Sequence, residues 1–246
     1  MVVGFVGSGN MAAAMARGWA GEFDRMLFTD SGSGRAKRLA EELGGEAVKS
    51  NAELAERADL LVLAVKPAHL EAVAPDLSSA RVIVSMLGAT SLEQLNAAFP
   101  RVDVIRLMPN VGVEVRRGVL CVAGAEAGWV REKLGVLGLL VELPDADFDA
   151  ATAIMGCSPA YLAAAAEALV EAGAEAGLEE ALAAALVAAT MDGTAALLEK
   201  RSGAEIREAV MSPGGSTEAG LEVLEREGAR EAFRAAVRAS LERMRR

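Results

Sequence analysis

Short β-branched runs alternate with amphipathic segments along the first part of the chain. Val2–Val6, Met26–Thr29, Leu60–Val65, Val82–Ser85, Val102–Leu107 and Val119–Ala123 read as buried strands bounded by turn residues. Between them, Met11–Gly18, Arg35–Leu43, Asn51–Arg57, Leu70–Ala74 and Leu92–Phe99 read as helices. Ser50-x-x-Glu53 and Thr90-x-x-Glu93 predict capping boxes, in which hydroxyl and carboxylate satisfy orphan amides at a helix start. Strand–helix alternation on this scale predicts an α/β fold with a doubly wound parallel sheet.

The pattern changes after Leu143-Pro144-Asp145. From about Phe148 no strand is predicted, and Pro159–Gly173, Glu179–Lys200, Ala204–Met211, Thr217–Glu227 and Arg230–Arg246 read as helices. The predicted division is a sheet domain over residues 1–147 and an all-helical domain over residues 148–246. Ala181–Ala189 is apolar nearly all round, which a helix tolerates only when covered on most sides. A five-helix domain of roughly one hundred residues has little interior to cover it. Packing against another subunit is therefore expected, the alternative being an internal core helix.

Composition narrows the function classes. Hydrophobic residues make up 52% of the 246, which excludes disorder. The net charge is −10 and no Lys/Arg cluster stands out, so neither nucleic acid nor an anionic membrane surface is an expected partner. Cys121 and Cys157, the only cysteines, suggest a reducing compartment rather than a disulfide framework. The start lacks the features of a signal peptide, and no unbroken apolar run reaches the ~18 residues of a membrane span. A cytoplasmic location is expected by elimination.

Gly7-Ser8-Gly9-Asn10-Met11-Ala12 follows the first strand and opens the first helix, the context that G-x-G-x-x-A requires. Gly7 permits the tight turn, Gly9 lets a pyrophosphate approach the backbone, and Ala12 allows close helix–strand packing. The helix N-terminus adds amide donors and a positive dipole end. The predicted domain is thus a dinucleotide-binding Rossmann domain. Asp30 lies 21 residues after Gly9, where an acid can bind the ribose 2′-hydroxyl of NAD. Ser31, Ser33 and Arg35 can instead hold the 2′-phosphate of NADP, or Ser33 can simply cap a helix, so NADPH or NADH stays open. Lys66-Pro67 ends a strand at the carboxyl edge of the sheet, where Lys66 either lines the cofactor path or is a solvated loop lysine.

Chemistry is as informative where it is missing. His69 is the only histidine and is expected on a surface helix, which removes Ser-His-Asp and Cys-His arrangements. No His/Cys/carboxylate cluster has metal-ligand spacing. A reductase without an obvious acid–base residue suits a substrate that is already electrophilic, such as a protonated cyclic imine. Met211-Ser212-Pro213-Gly214-Gly215-Ser216-Thr217 lies between two predicted helices. It offers backbone N–H groups, hydroxyls and a helix N-terminus to a carboxylate, or else it is a capped turn.

These motifs together carry a family resemblance. Val3–Ala12, Leu63-Ala64-Val65-Lys66-Pro67, Arg106-Leu107-Met108-Pro109-Asn110, Gly156-Cys157-Ser158-Pro159-Ala160-Tyr161, Thr190-Met191-Asp192-Gly193 and Ser212–Thr217 resemble, in order and spacing, the pyrroline-5-carboxylate reductases. The resemblance implies a Rossmann domain followed by a helical dimerisation domain, and reduction of pyrroline-5-carboxylate to L-proline by NADPH or NADH. It implies cofactor contacts at Gly7, Ser8, Gly9, Asn10, Met11, Asn51, Ala64, Val65, Lys66, Pro67, Leu87 and Gly88, with Asn110 at the nicotinamide end; Asp30 and Ser31, read from their place after the second strand, complete the cofactor set at the ribose. It implies a substrate site at Ser212, Gly214, Gly215, Ser216 and Thr217, in which Ser212 and Thr217 are the candidate catalytic residues and Thr217 lies near the ring nitrogen. It also implies a homodimer or higher ring. Departures from the family pattern fall at Cys157-Ser158, where Ser-Gly is usual, and at Ser202-Gly203, where His-Pro is common. The alternatives are a reductase of another small cyclic imine, a deazaflavin-dependent NADP reductase, or a non-catalytic dinucleotide-sensing regulatory dimer.

Overall fold

The computed structural model describes residues 1–244. It divides into two compact units, Met1–Gly156 and Cys157–Arg243. The last two residues of the helix expected to end at Arg246 lie outside the described residues.

The first unit is built on one eight-stranded sheet. Its strands are β1 (Val2–Val6), β2 (Arg25–Thr29), β3 (Glu46–Ala47), β4 (Leu60–Leu63), β5 (Val82–Ser85), β6 (Asp103–Pro109), β7 (Gly118–Gly124) and β8 (Gly138–Glu142). The spatial order is β3-β2-β1-β4-β5-β6-β7-β8. Helices α1 (Asn10–Gly18), α2 (Arg35–Leu43), α3 (Asn51–Arg57), α4 (Leu70–Val73), α5 (Leu92–Ala98) and α6 (Gly128–Gly135) join the strands. The order reverses between β1 and β4, so their carboxyl ends form the crevice in which open α/β sheets bind ligands. Each face of the sheet carries its own core. Phe5, Met15, Trp19, Phe28 and Leu107 lie in one; Leu27, Leu54, Leu61, Ile83 and Leu95 lie in the other. On the first face the Phe5 and Phe28 rings stack with centroids 5.3 Å apart.

The structure departs from the expected sheet in three places. β7 runs antiparallel to β6, because the short 3-10 turn Val111–Val115 between them cannot supply the crossover a parallel partner needs. β8 and the two-residue β3 are additional strands at the sheet's edges. The cap of α5 shifts by one residue from the predicted Thr90/Glu93 pair. Ser91 accepts the Gln94 N–H, and Gln94 Oε1 accepts the Ser91 N–H at 2.8 Å. Thr90 is buried instead, and its hydroxyl donates to the Gly88 carbonyl. At α3 only half of the predicted box forms: Ser50 accepts the Glu53 N–H, but the Glu53 carboxylate takes the N–H of Lys49.

A short helix, α7 (Phe148–Ala151), and a π-helical turn (Thr152–Gly156) close the first unit. The second unit comprises α8 (Ser158–Glu175), α9 (Glu180–Leu198), α10 (Gly203–Val210), α11 (Ser216–Arg226) and α12 (Ala229–Met244). Pro159 sits in the first turn of α8, where its missing N–H costs nothing. Ala183 is the only buried hydrophobic residue among the described residues of this unit. Leu162, Leu169, Leu182, Leu186, Leu198, Leu224 and Phe233 are exposed. The apolar stretch Ala181–Ala189 is therefore no internal core helix. Asp145–Glu175 and Glu180–Leu198, whose 18-residue windows reach mean hydropathies of 1.4 and 1.7, are also long and apolar enough to cross a membrane by length and composition. That qualifies the expectation drawn from unbroken apolar runs, which overlooked helices whose few charges leave the mean high.

Candidate active site

The turn after β1 is shaped by close backbone contact. Gly7 has φ of 94°, and a Cβ there would lie 2.7 Å from the Ala64 carbonyl oxygen, so only glycine fits. This contact sets the glycine turn against the Ala64–Pro67 segment after β4. Gly9, by contrast, has nothing within 4 Å of where a Cβ would stand, and neither has Gly88 after β5. Gly9 forms the N-cap of α1 without any side-chain hydrogen bond to the helix's first amides. Open space beside a glycine, next to uncapped N–H donors at a helix N-terminus, fits a dinucleotide pyrophosphate.

The other predicted cofactor residues sort by what remains free. Ser8 is buried, and its hydroxyl donates to the Thr29 carbonyl at 3.0 Å, leaving its backbone for a ligand. Asn10 is exposed and Met11 partly so, at the open end of α1. Lys66 is exposed at the carboxyl edge and forms no ion pair among the described residues, which leaves a free cation beside the glycine turn. Leu87 is buried in the core, so its side chain is not available to a ligand. Asn110 is committed elsewhere. Its Oδ1 accepts from Gly112 and Val119 N–H at 3.2 and 3.1 Å, and its Nδ2 donates to the Met155 carbonyl at 3.1 Å. Its side chain thus braces the β6–β7 turn against the π-helical turn.

Asp30 is likewise committed. Its carboxylate accepts N–H bonds from Gly32 and Ala36, both at 2.8 Å, and the Ser33 hydroxyl at 3.0 Å. Partial burial pushes its pKa up, but the bonds from Ala36, Gly32, Ser33 and Arg35 outweigh that and hold it below the ordinary carboxylate range. Asp30 caps α2, whose own N-cap position, Gly34, is left-handed and offers no side chain. Ser31, Ser33 and Arg35 are exposed around it.

The second predicted cluster lies in the other unit, between α10 and α11. Gly214 has φ of 71°, and a Cβ on Gly215 would meet Ser212 Oγ at 2.5 Å, so the turn requires both glycines. Gly215 is the N-cap of α11 with no side-chain cap, and Ser216 and Thr217, both exposed, open the helix. Their hydroxyls form no hydrogen bond among the described residues. The Gly214 N–H is taken: it donates to Glu218 Oε2 at 2.6 Å. Sequence reasoning missed Thr29 and Glu218. The Thr29 signal was its place at the end of β2, immediately before Asp30; the Glu218 signal was an acid in the first turn of a helix assigned to an anion.

The glycine turn, the crevice at the strand-order reversal and the uncapped helix start define a dinucleotide-binding oxidoreductase domain joined to a helical one. Residues 2–88 match the family model described as NADP oxidoreductase, coenzyme F420-dependent. Residues 145–246 match that of pyrroline-5-carboxylate reductase dimerisation. The pyrroline-5-carboxylate reductase of Treponema pallidum is 35% identical, over 98% of this chain and 99% of that one. A crystal structure of 1-pyrroline-5-carboxylate reductase from Streptococcus pyogenes superposes with a TM-score of 0.89 at 30% identity, covering 99% and 98% of the two chains. The Plasmodium falciparum pyrroline carboxylate reductase, solved with NADP bound, gives 0.88 at 26% identity over 99% and 97%. The chain belongs to the pyrroline-5-carboxylate reductase family.

Proposed function

We propose that this protein reduces 1-pyrroline-5-carboxylate to L-proline, the last step of proline biosynthesis, with NADPH as the preferred donor. The observation that carries the reading is the Ser212–Thr217 turn, where the Ser212, Ser216 and Thr217 hydroxyls and the first amides of α11 stand unbonded among the described residues, at a helix start in a chain that also carries a dinucleotide crevice. The reduced nicotinamide, when bound, supplies a hydride to the imine carbon. Gly7, Gly9 and the first amides of α1 bind the pyrophosphate, and Lys66 adds a positive charge beside it. Asp30 already accepts three hydrogen bonds from its own loop. It is therefore poorly placed to accept from a ribose 2′-hydroxyl, while exposed Ser31, Ser33 and Arg35 suit a 2′-phosphate. At the other site the Ser216 and Thr217 amides and the Ser212 hydroxyl hold the substrate carboxylate, while the Gly215 N–H closes the turn on the Ser212 carbonyl at 2.8 Å. Thr217 orients the ring nitrogen. A protonated imine needs no further acid, which accords with the scarcity of histidine.

The bare helices α8 and α9 support a homodimer, with the apolar faces of two copies covering each other. Free Cys121 and Cys157 support a reducing, cytoplasmic setting. Thr217→Ala tests the assignment. It should lower kcat/KM for the imine by about 10- to 100-fold, the worth of a hydrogen bond to a charged group, while the NADPH Kd stays unchanged. Unchanged kinetics would remove Thr217 and its loop from the site.

A further inference from the structure

Thr29 joins three separate parts of the coenzyme crevice. It ends β2, is almost fully buried, and belongs neither to the glycine turn nor to the cap of α2. Its carbonyl oxygen accepts two bonds from the turn, the Gly7 N–H at 3.2 Å and the Ser8 hydroxyl at 3.0 Å. Its own hydroxyl lies 2.8 Å from Asn51 Oδ1, at the first residue of α3. The Phe5 carbonyl is a second acceptor, but at 3.4 Å. A hydroxyl carries one proton, and the shorter contact takes it.

That single proton fixes which way the Asn51 amide faces. With Oδ1 held on Thr29, the NH2 group must occupy the other branch of the amide, and Nδ2 has no partner among the described residues. Asn51 is only partly buried at the start of α3, so its side chain is partly open to solvent. Without the Thr29 hydroxyl the amide is free to turn over, presenting an acceptor where a donor stood.

We infer that Thr29 is a positioning residue for the coenzyme: its hydroxyl orients the Asn51 amide so that two N–H donors face the adenosine end. The inference rests on the proposed coenzyme binding and deepens it. It names donors for a ribose hydroxyl or phosphate oxygen, and it makes Asn51 an acceptor-reading residue only while Thr29 donates to it.

Titration calorimetry of the full-length protein with NADPH, and separately with NADH, tests this. Thr29→Val keeps the side-chain shape and the carbonyl that holds the turn. It should raise the coenzyme Kd by about 3- to 10-fold, the effect of one misdirected hydrogen bond. Thr29→Ser should return it to within about two-fold of wild type. The KM for the imine and the kcat at saturating coenzyme should hold. In an Asn51→Ala background Thr29→Val should add nothing, since the group it orients is gone. Asn51→Asp, at a partly exposed helix start, gives the same answer if the buried substitution fails to fold. Thr29 still donates to one oxygen, but the outward donors become an acceptor, so the Kd must rise at least as far. Unchanged Kd in Thr29→Val or in Asn51→Asp overturns the inference. A wild-type protein that binds neither dinucleotide would instead overturn the coenzyme reading on which it rests.

Discussion

Glu218 reaches back one helical turn to accept the Gly214 N–H at 2.6 Å. It thereby occupies a backbone donor in the turn assigned to the substrate carboxylate. An anion already seated at that N–H repels a second one and must be displaced before the amide can serve a ligand. Glu218→Ala should therefore lower the KM for the imine by about 3- to 10-fold, the range of one released hydrogen bond. The accompanying loss of an acid from the first turn of α11 should cost only about 0.5 kcal/mol of stability. Steady-state kinetics read the effect, and a raised KM would mean that Glu218 instead holds the turn in its binding shape. Gly7 and Gly215 impose the opposite kind of constraint. A side chain at either would meet backbone or hydroxyl oxygen at under 3 Å, so neither turn tolerates substitution.

Among elements, α2 depends on Asp30 in a way that pH exposes. The folded carboxylate titrates below its ordinary range, so it contributes stability fully above that range and loses the contribution as pH falls through it. Asp30→Ala should cost about 1 kcal/mol at pH 7, typical of a lost helix cap. The difference from wild type should shrink below about pH 4, where the unfolded carboxylate also protonates. Denaturant unfolding at the two pH values checks it; a difference independent of pH would assign the loss to something other than the charge.

The same element shows what sequence can and cannot reveal. Strand–helix alternation and the glycine turn were legible because each is local: apolar, β-branched runs form the strands, and G-x-G-x-x-A sits where one strand meets one helix. Asp30 was legible as an acid near the ribose, but its spacing could not tell a ribose ligand from a helix cap. That choice depends on the left-handed Gly34, which leaves the cap to a residue four positions earlier. β8 carried too little alternation to announce itself, since its residues are half-exposed at a sheet edge. Asn110 was recognisable by motif, whereas its three hydrogen bonds reach to Val119 and Met155 and depend on tertiary structure. Thr29 and Asn51 are 22 residues apart, and nothing local links them.

The whole molecule is a well-packed unit attached to one with almost no buried apolar interior among the described residues. The first has a core on each face of its sheet, while the second buries one hydrophobic residue among those described. Long apolar helices left bare in water are unstable and aggregation-prone, so a second copy is the economical cover. Folding and assembly should then be one event. The melting temperature should fall on dilution, since a folded dimer is favoured by mass action and an isolated subunit is not. A melting temperature independent of protein concentration, from a species that sediments as a monomer, would contradict this.

The most direct test of the central claim follows the hydride itself. Turnover of 1-pyrroline-5-carboxylate with NADPH deuterated at both nicotinamide C4 positions should give proline with one deuterium on the former imine carbon. Recovery of unlabelled proline, or no proline from protein that binds NADPH, would contradict it.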